Sequence, residues 1–72
     1  MGSELYLQDL SEGQIVKHHR LARGLRQIDL ASLAHCEPSD VIAVEKDRWV
    51  RPDIRVRILV ALGLWEGVGD DQ

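Results

Sequence analysis

The 72-residue sequence contains no phenylalanine, one cysteine and two prolines, and its only aromatic side chains are Tyr6, Trp49 and Trp65. With so few large rings the core has to be built from Leu, Ile, Val and Ala, which suits short helices packed closely. The single Cys36 excludes an intramolecular disulfide and fits a reducing compartment. No apolar run approaches the roughly 20 residues that cross a bilayer, so no membrane association is expected. No basic segment followed by an apolar stretch opens the chain, and a cytoplasmic location is expected. There is no glycine-rich phosphate loop and no nucleophile framed by a base and an orienting partner. The chain is also too short to enclose a substrate cavity. An enzyme, a cofactor and a small-molecule substrate are therefore not expected.

What is present is an ordinary globular composition, 44% hydrophobic and 29% charged. A chain of this length buries only about 60% of its unfolded surface, so it forms one small domain that gains from a partner. The net charge is −3. Its distribution is more informative: Glu4, Asp9 and Glu12 lie in residues 1–12, and Glu66, Asp70 and Asp71 in residues 66–72, with no Lys or Arg in either segment. Between them nine basic residues face six acidic ones, so the acidity belongs to the ends and the body is weakly basic.

Residues 1–10 read as an N-terminal arm: a flexible segment, a short strand, or an edge that docks on a partner. Residues 11–64 read as the folded domain and 65–72 as an acidic tail that frays unless Trp65 folds back on the core. Ser11 and Gln14 have the spacing of a capping box, and Leu10 and Ile15 that of a hydrophobic staple, so a first helix begins here. Val16, His19 and Ala22 or Arg23 continue its inward face, and Gly24 ends it. A second helix is expected from about Gln27 to Ala34 with Leu30, Ala31, Leu33 and Ala34 inward, followed by the turn His35-Cys36-Glu37. Pro38 fits the first position of a third helix, whose Val41 and Val44 face the core. Asp47 to Pro52 is a loop. Asp53 is expected to cap a fourth helix that carries Ile54, Ile58, Leu59 and Leu62 and ends at Gly63. The fold class is all-α, a compact domain of four to five helices.

From Val16 to about Leu64 the chain resembles the Cro/CI (XRE-like) helix-turn-helix family. The likeness rests on Arg20, the Arg23-Gly24-Leu25 corner, Gln27, Leu30-Ala31, Ser39, Val41, Val44, Glu45 and the closing Ala61-Leu62-Gly63-Leu64. It implies a lambda-repressor-like domain in which the third helix enters the major groove, its side chains meeting base edges. It also implies that Gln27 binds a phosphate at the start of helix 2. A fainter likeness is to small antiactivators that hold quorum-sensing activators inactive on mobile elements, and it carries no site residues across.

The outward residues depart from the family's pattern. His35 stands where the turn usually has Gly, a position His tolerates in the left-handed region. Arg26 replaces the usual Ser or Thr cap of helix 2. Pro38 offers no donor, Glu37 and Asp40 put negative charge where phosphates would approach, Ala43 reaches only a thymine methyl, and Ile42 adds apolar surface. A good bidentate base contact is worth about 1–3 kcal/mol of discrimination, and this face offers none from Arg, Gln or Asn. The candidate partner-binding residues are accordingly Glu37, Asp40, Ile42, Ala43, Trp49, Val50 and Arg51, and the expected partner is a transcriptional activator.

The alternative is sequence-specific DNA binding, as a dimer, through Arg20, Arg23, Arg26, Gln27, Ser39, Lys46 and Arg48. In that reading Arg20, Arg23 and Arg26, spaced by three with Lys17 a turn before, form a phosphate-contacting ridge. The second basic group, Lys46, Arg48, Arg51, Arg55 and Arg57, surrounds Trp49 and Val50 and reads as a basic rim around an apolar contact patch. His18, His19, His35 and Cys36 lack the paired spacing of zinc ligands, so no metal is expected.

Overall fold

Ser11 starts the first helix as its spacing predicts. Its Oγ accepts from the Gln14 N–H at 3.1 Å, and the Gln14 Oε1 accepts from the Ser11 N–H at 2.8 Å, closing both halves of the capping box. A computed structural model of the chain describes residues 9–65. These form four α-helices and no strand: α1 (Glu12–Ala22), α2 (Gln27–Ala34), α3 (Pro38–Glu45) and α4 (Pro52–Ala61). Apart from Asp9, Leu10 and Trp65, the expected N-terminal arm and acidic tail lie outside the described residues. None of the four helices is long and apolar enough to cross a membrane.

All four helices stop by one device. A residue in the left-handed region follows each: Gly24 (φ 67°), His35 (φ 58°), Asp47 (φ 58°) and Gly63 (φ 73°). The next N–H then reaches back to a carbonyl of the last turn: Leu25 to Arg20 at 3.1 Å, Cys36 to Ala31 at 2.9 Å, Arg48 to Ala43 at 2.8 Å and Leu64 to Leu59 at 2.8 Å. These stops set the direction in which each following segment leaves, so the loop before α4 is aimed by the end of α3.

The core is Val16, Leu30, Ala31, Ala34, Val41, Val44, Ile58, Leu59 and Leu62. Helix α2 packs against both α3 and α4, and α1 packs against α3. Small residues allow the close approaches. Ala31 is buried in the middle of α2, and Gly13 is buried in the first turn of α1. A Cβ on Gly13 would stand 2.4 Å from the Val44 carbonyl oxygen and 2.7 Å from that of Glu45, so α1 lies directly on the end of the α3 backbone.

Several inward-facing assignments need correction. The buried face of α1 is Gly13, Val16 and Arg20 rather than Val16, His19 and Ala22 or Arg23; His19 is only half-buried, and Ala22 and Arg23 are exposed. The cause is the Gly13 contact, which turns that side of the helix toward α3. In α2, Leu30, Ala31 and Ala34 form the buried stripe, and Leu33, on its flank, is 56% exposed. Asp53 does not cap α4. The helix begins one residue earlier, with Pro52 in its first turn and Arg51 at the cap, because the fixed φ of proline suits that position. Val50, expected at the contact surface, is partly buried against the core, and Ile42 is half-buried.

Gly13→Ala should destabilise the fold by about 1–3 kcal/mol, the range for overpacking, even though alanine favours helix over glycine by about 1 kcal/mol. Urea unfolding followed by circular dichroism measures it; an unchanged or raised midpoint would show that α1 and α3 are not in this contact.

Candidate functional site

The outward chemistry of this chain depends on which charges its interior uses. Arg20 is 6% exposed. Its Nε donates to Glu45 Oε2 at 2.6 Å and its Nη2 to Glu45 Oε1 at 3.1 Å, a bidentate pair, while Nη1 donates to the Leu25 carbonyl at 2.8 Å. The Gln27 Nε2 donates to the same Glu45 Oε1 at 3.2 Å. One carboxylate at the end of α3 thus holds the last half of α1 and the first residue of α2. Among the described residues no buried side-chain nitrogen or oxygen lacks a partner, which is the condition for a buried ion pair to be tolerated.

This arrangement corrects the expected phosphate ridge. Arg20 points into the fold and cannot touch a ligand. Arg23 donates to the Leu62 carbonyl at 2.9 Å and the His19 carbonyl at 3.1 Å, fastening α1 to the end of α4. Arg26 turns back on Asp29 with bonds of 3.0 and 3.1 Å, and Asp29 also accepts the Arg26 N–H at 2.8 Å, the half of a capping box that needs no Ser or Thr. Bonding to Arg26 holds the Asp29 carboxyl below the usual carboxylate range. Gln27 is bound to Glu45. The four residues do not form one exposed phosphate-binding surface.

At the start of α3, Asp40 accepts the Glu37 N–H at 3.0 Å, so its carboxylate caps its own helix. Glu37 and Ser39 are exposed and Ala43 is half-buried. Trp49 lies beyond the other end of this eight-residue helix, about 12 Å long at 1.5 Å per residue. The expected partner face is therefore divided between the acidic N-terminus of α3 and the loop that follows it.

That loop borders a surface cleft. Glu12, Val44, Asp47, Arg48, Trp49, Val50, Pro52 and Arg55 line this open cleft of about 280 Å³. Trp49 is 79% exposed, the most exposed large apolar side chain among the described residues. The acids here are already engaged. Arg55 makes two 2.7 Å bonds to Glu12, and Asp47 accepts the Gly13 N–H at 2.9 Å. The Ser11 hydroxyl and that N–H together hold the Asp47 carboxyl below the usual range. Arg51 and Arg57 share Asp53, each with a bond of 2.9 Å, and hold its carboxyl far below that range. Lys46 and Arg48 are exposed and make no ion pair among the described residues.

The Glu12–Arg55 pair and the Asp47 clamp were not apparent in the sequence, since their partners lie 43 and 34 residues apart. A usable signal was Gly13, a poor helix former inside a helix, which marks a close backbone approach. A second apolar surface was also missed: Leu33 and Val60, 56% and 47% exposed, border a shallow depression of about 180 Å³ with Ala34 and Ala61.

The His and Cys residues are accounted for locally. His18 and His19 meet edge to face at 5.4 Å. Burial lowers the pKa of His19, with Arg23 and His18 adding to the effect, so its ring is neutral at pH 7. His35 supplies the left-handed turn, and burial raises the Cys36 thiol, keeping it protonated.

Removing one partner of the central pair leaves a buried charge. Glu45→Ala should cost about 3–5 kcal/mol, and Arg26→Ala, at an exposed pair, far less; urea titrations of the two variants measure the contrast. The depressed Asp47 carboxyl stabilises the fold above the ordinary carboxylate pKa, about 3.9. That stabilisation is lost as pH falls through the lower folded value. Asp47→Asn should therefore flatten the acid limb of a stability–pH profile; an unchanged slope would mean the clamp does not form.

No protein-family model, no curated protein and no solved structure matches this chain.

Proposed function

We propose that this protein is a small transcriptional regulator with a helix-turn-helix domain of the Cro/CI type, and that it acts as an antiactivator by binding another transcription factor. In this reading α2, the turn at His35–Glu37 and α3 form the motif, and the surface around Trp49 meets the partner. The observation that carries it is the fate of the basic ridge. Arg20 and Gln27 are held by Glu45, Arg23 by the Leu62 carbonyl and Arg26 by the neighbouring surface carboxylate of Asp29, while Trp49 is 79% exposed. DNA affinity comes largely from cations free to meet phosphates, whereas an exposed tryptophan with arginine neighbours is the usual composition of a protein-binding hot spot. The carboxylates at the start of α3 weigh further against phosphate contact.

The DNA reading keeps one support. Ser39, Lys46 and Arg48 are exposed, and they would serve as backbone contacts of a dimeric repressor or activator.

An electrophoretic shift on the protein's own upstream region, in low and moderate salt, separates the two. We expect no shift at micromolar protein whose fold is verified by circular dichroism, and none after Asp40→Arg. Tight, salt-sensitive and sequence-specific binding would replace this proposal with the DNA reading.

A further inference from the structure

The cleft beside Trp49 has an uneven charge balance that defines its ligand. Five cations, Lys46, Arg48, Arg51, Arg55 and Arg57, lie on or next to the loop between α3 and α4, and three carboxylates, Glu12, Asp47 and Asp53, face them. Each of those carboxylates is already bound: Glu12 by Arg55, Asp47 by the Gly13 N–H, and Asp53 by Arg51 and Arg57 together. The surplus positive charge sits on Lys46 and Arg48, which flank Asp47 in the chain: Arg48 lines the cleft together with the exposed Trp49, and Lys46 is the C-cap of α3 just before the loop. The walls below the ring, from Val44, Val50 and Pro52, are apolar.

We infer that this cleft binds an acidic segment of a partner protein, one that places an apolar side chain against Trp49 and carboxylates against Lys46 and Arg48. The inference rests on the protein-binding reading and narrows it to a class of ligand. Charge complementarity argues for it: two unpaired cations next to an apolar surface leave a partner's Asp or Glu a pairing that no group in the described chain supplies. Trp49 supplies apolar area with only two side-chain torsions to fix on binding. The loop is held from both ends, by the left-handed Asp47 clamped to Gly13 and by Pro52 at the start of α4, so little order has to be gained when the partner arrives. Duplex DNA also satisfies cations, but phosphates give an open tryptophan and a valine–proline wall nothing to bury.

A random peptide library displayed on phage, panned against the full chain and counter-selected on folded Trp49→Ala, tests this. Trp49-dependent binders are expected to be enriched in Asp and Glu around a large apolar residue. A synthetic peptide of the selected sequence should bind at least about tenfold more weakly to the Lys46→Glu, Arg48→Glu double variant. Its binding should also weaken with added salt, as screened surface charges require. Trp49-dependent peptides without acidic enrichment, or unaffected by the double charge reversal, would overturn the acidic-ligand assignment and leave the protein-binding reading standing. If no Trp49-dependent peptide emerges and a random-sequence duplex is shifted by the wild type but not by the double variant, both fall in favour of DNA. Self-association in sedimentation that Trp49→Ala abolishes would assign the cleft to a second copy of this chain instead.

Discussion

The bidentate ion pair between Arg20 and Glu45 is the interaction on which the arrangement of the other helices depends. Both side chains are almost fully buried, at 7% and 4% exposure. Two desolvated charges are an expensive way to hold helices together, and well-packed apolar residues often do as well. What a guanidinium–carboxylate fork adds is direction. It fixes angle as well as distance, while Arg20 Nη1 donates to the Leu25 carbonyl and Glu45 Oε1 also accepts from the Gln27 amide. A core of nine aliphatic residues, with no aromatic ring among them, has few features that favour one helix orientation over another. The ion pair provides that selectivity for α1, α2 and α3.

The consequences reach the surface. Gly13, Val16 and Arg20 share the buried face of α1, and the missing Cβ of Gly13 lets the start of α1 rest on the last carbonyls of α3. That contact brings the Gly13 N–H to Asp47, whose left-handed conformation turns the chain out of α3. Trp49 is presented two residues later, with Pro52 fixing the other end of the loop. An interior charge pair and an exposed ring are thus linked by a short series of backbone contacts. The same series binds the acids nearest the loop, while Lys46 and Arg48 there make no ion pair among the described residues.

The helical elements were legible in the sequence because their signals are local. Ser11 with Gln14, Gly24, Pro38 and Gly63 mark helix ends through hydrogen bonds and φ values that involve only a few neighbouring residues. Val41, Val44, Ile58 and Leu62 could be assigned inward from spacing alone. The assignments that failed concern side chains serving two roles. Arg20, Arg23 and Arg26 look alike in a sequence, yet one is buried, one bonds the end of α4 and one pairs with Asp29 at the start of α2. Leu33 and His19 lie at the margin of a stripe, where a small rotation of the helix decides exposure. Asp40 was read as a ligand for a partner and is in part the cap of its own helix.

The sequence by itself determined the all-helical class, the approximate bounds of the helices and most of the aliphatic core, since these follow from nearest-neighbour chemistry and periodicity. Only the tertiary structure decided which charges remain available. The pairing of Glu45 with Arg20, of Glu12 with Arg55 and of Asp47 with Gly13 joins residues 25 to 43 positions apart, and no local rule selects one partner among nine basic side chains. Electrostatic bonding at such separations is set by how the helices pack, and packing here follows from one missing Cβ and one buried ion pair.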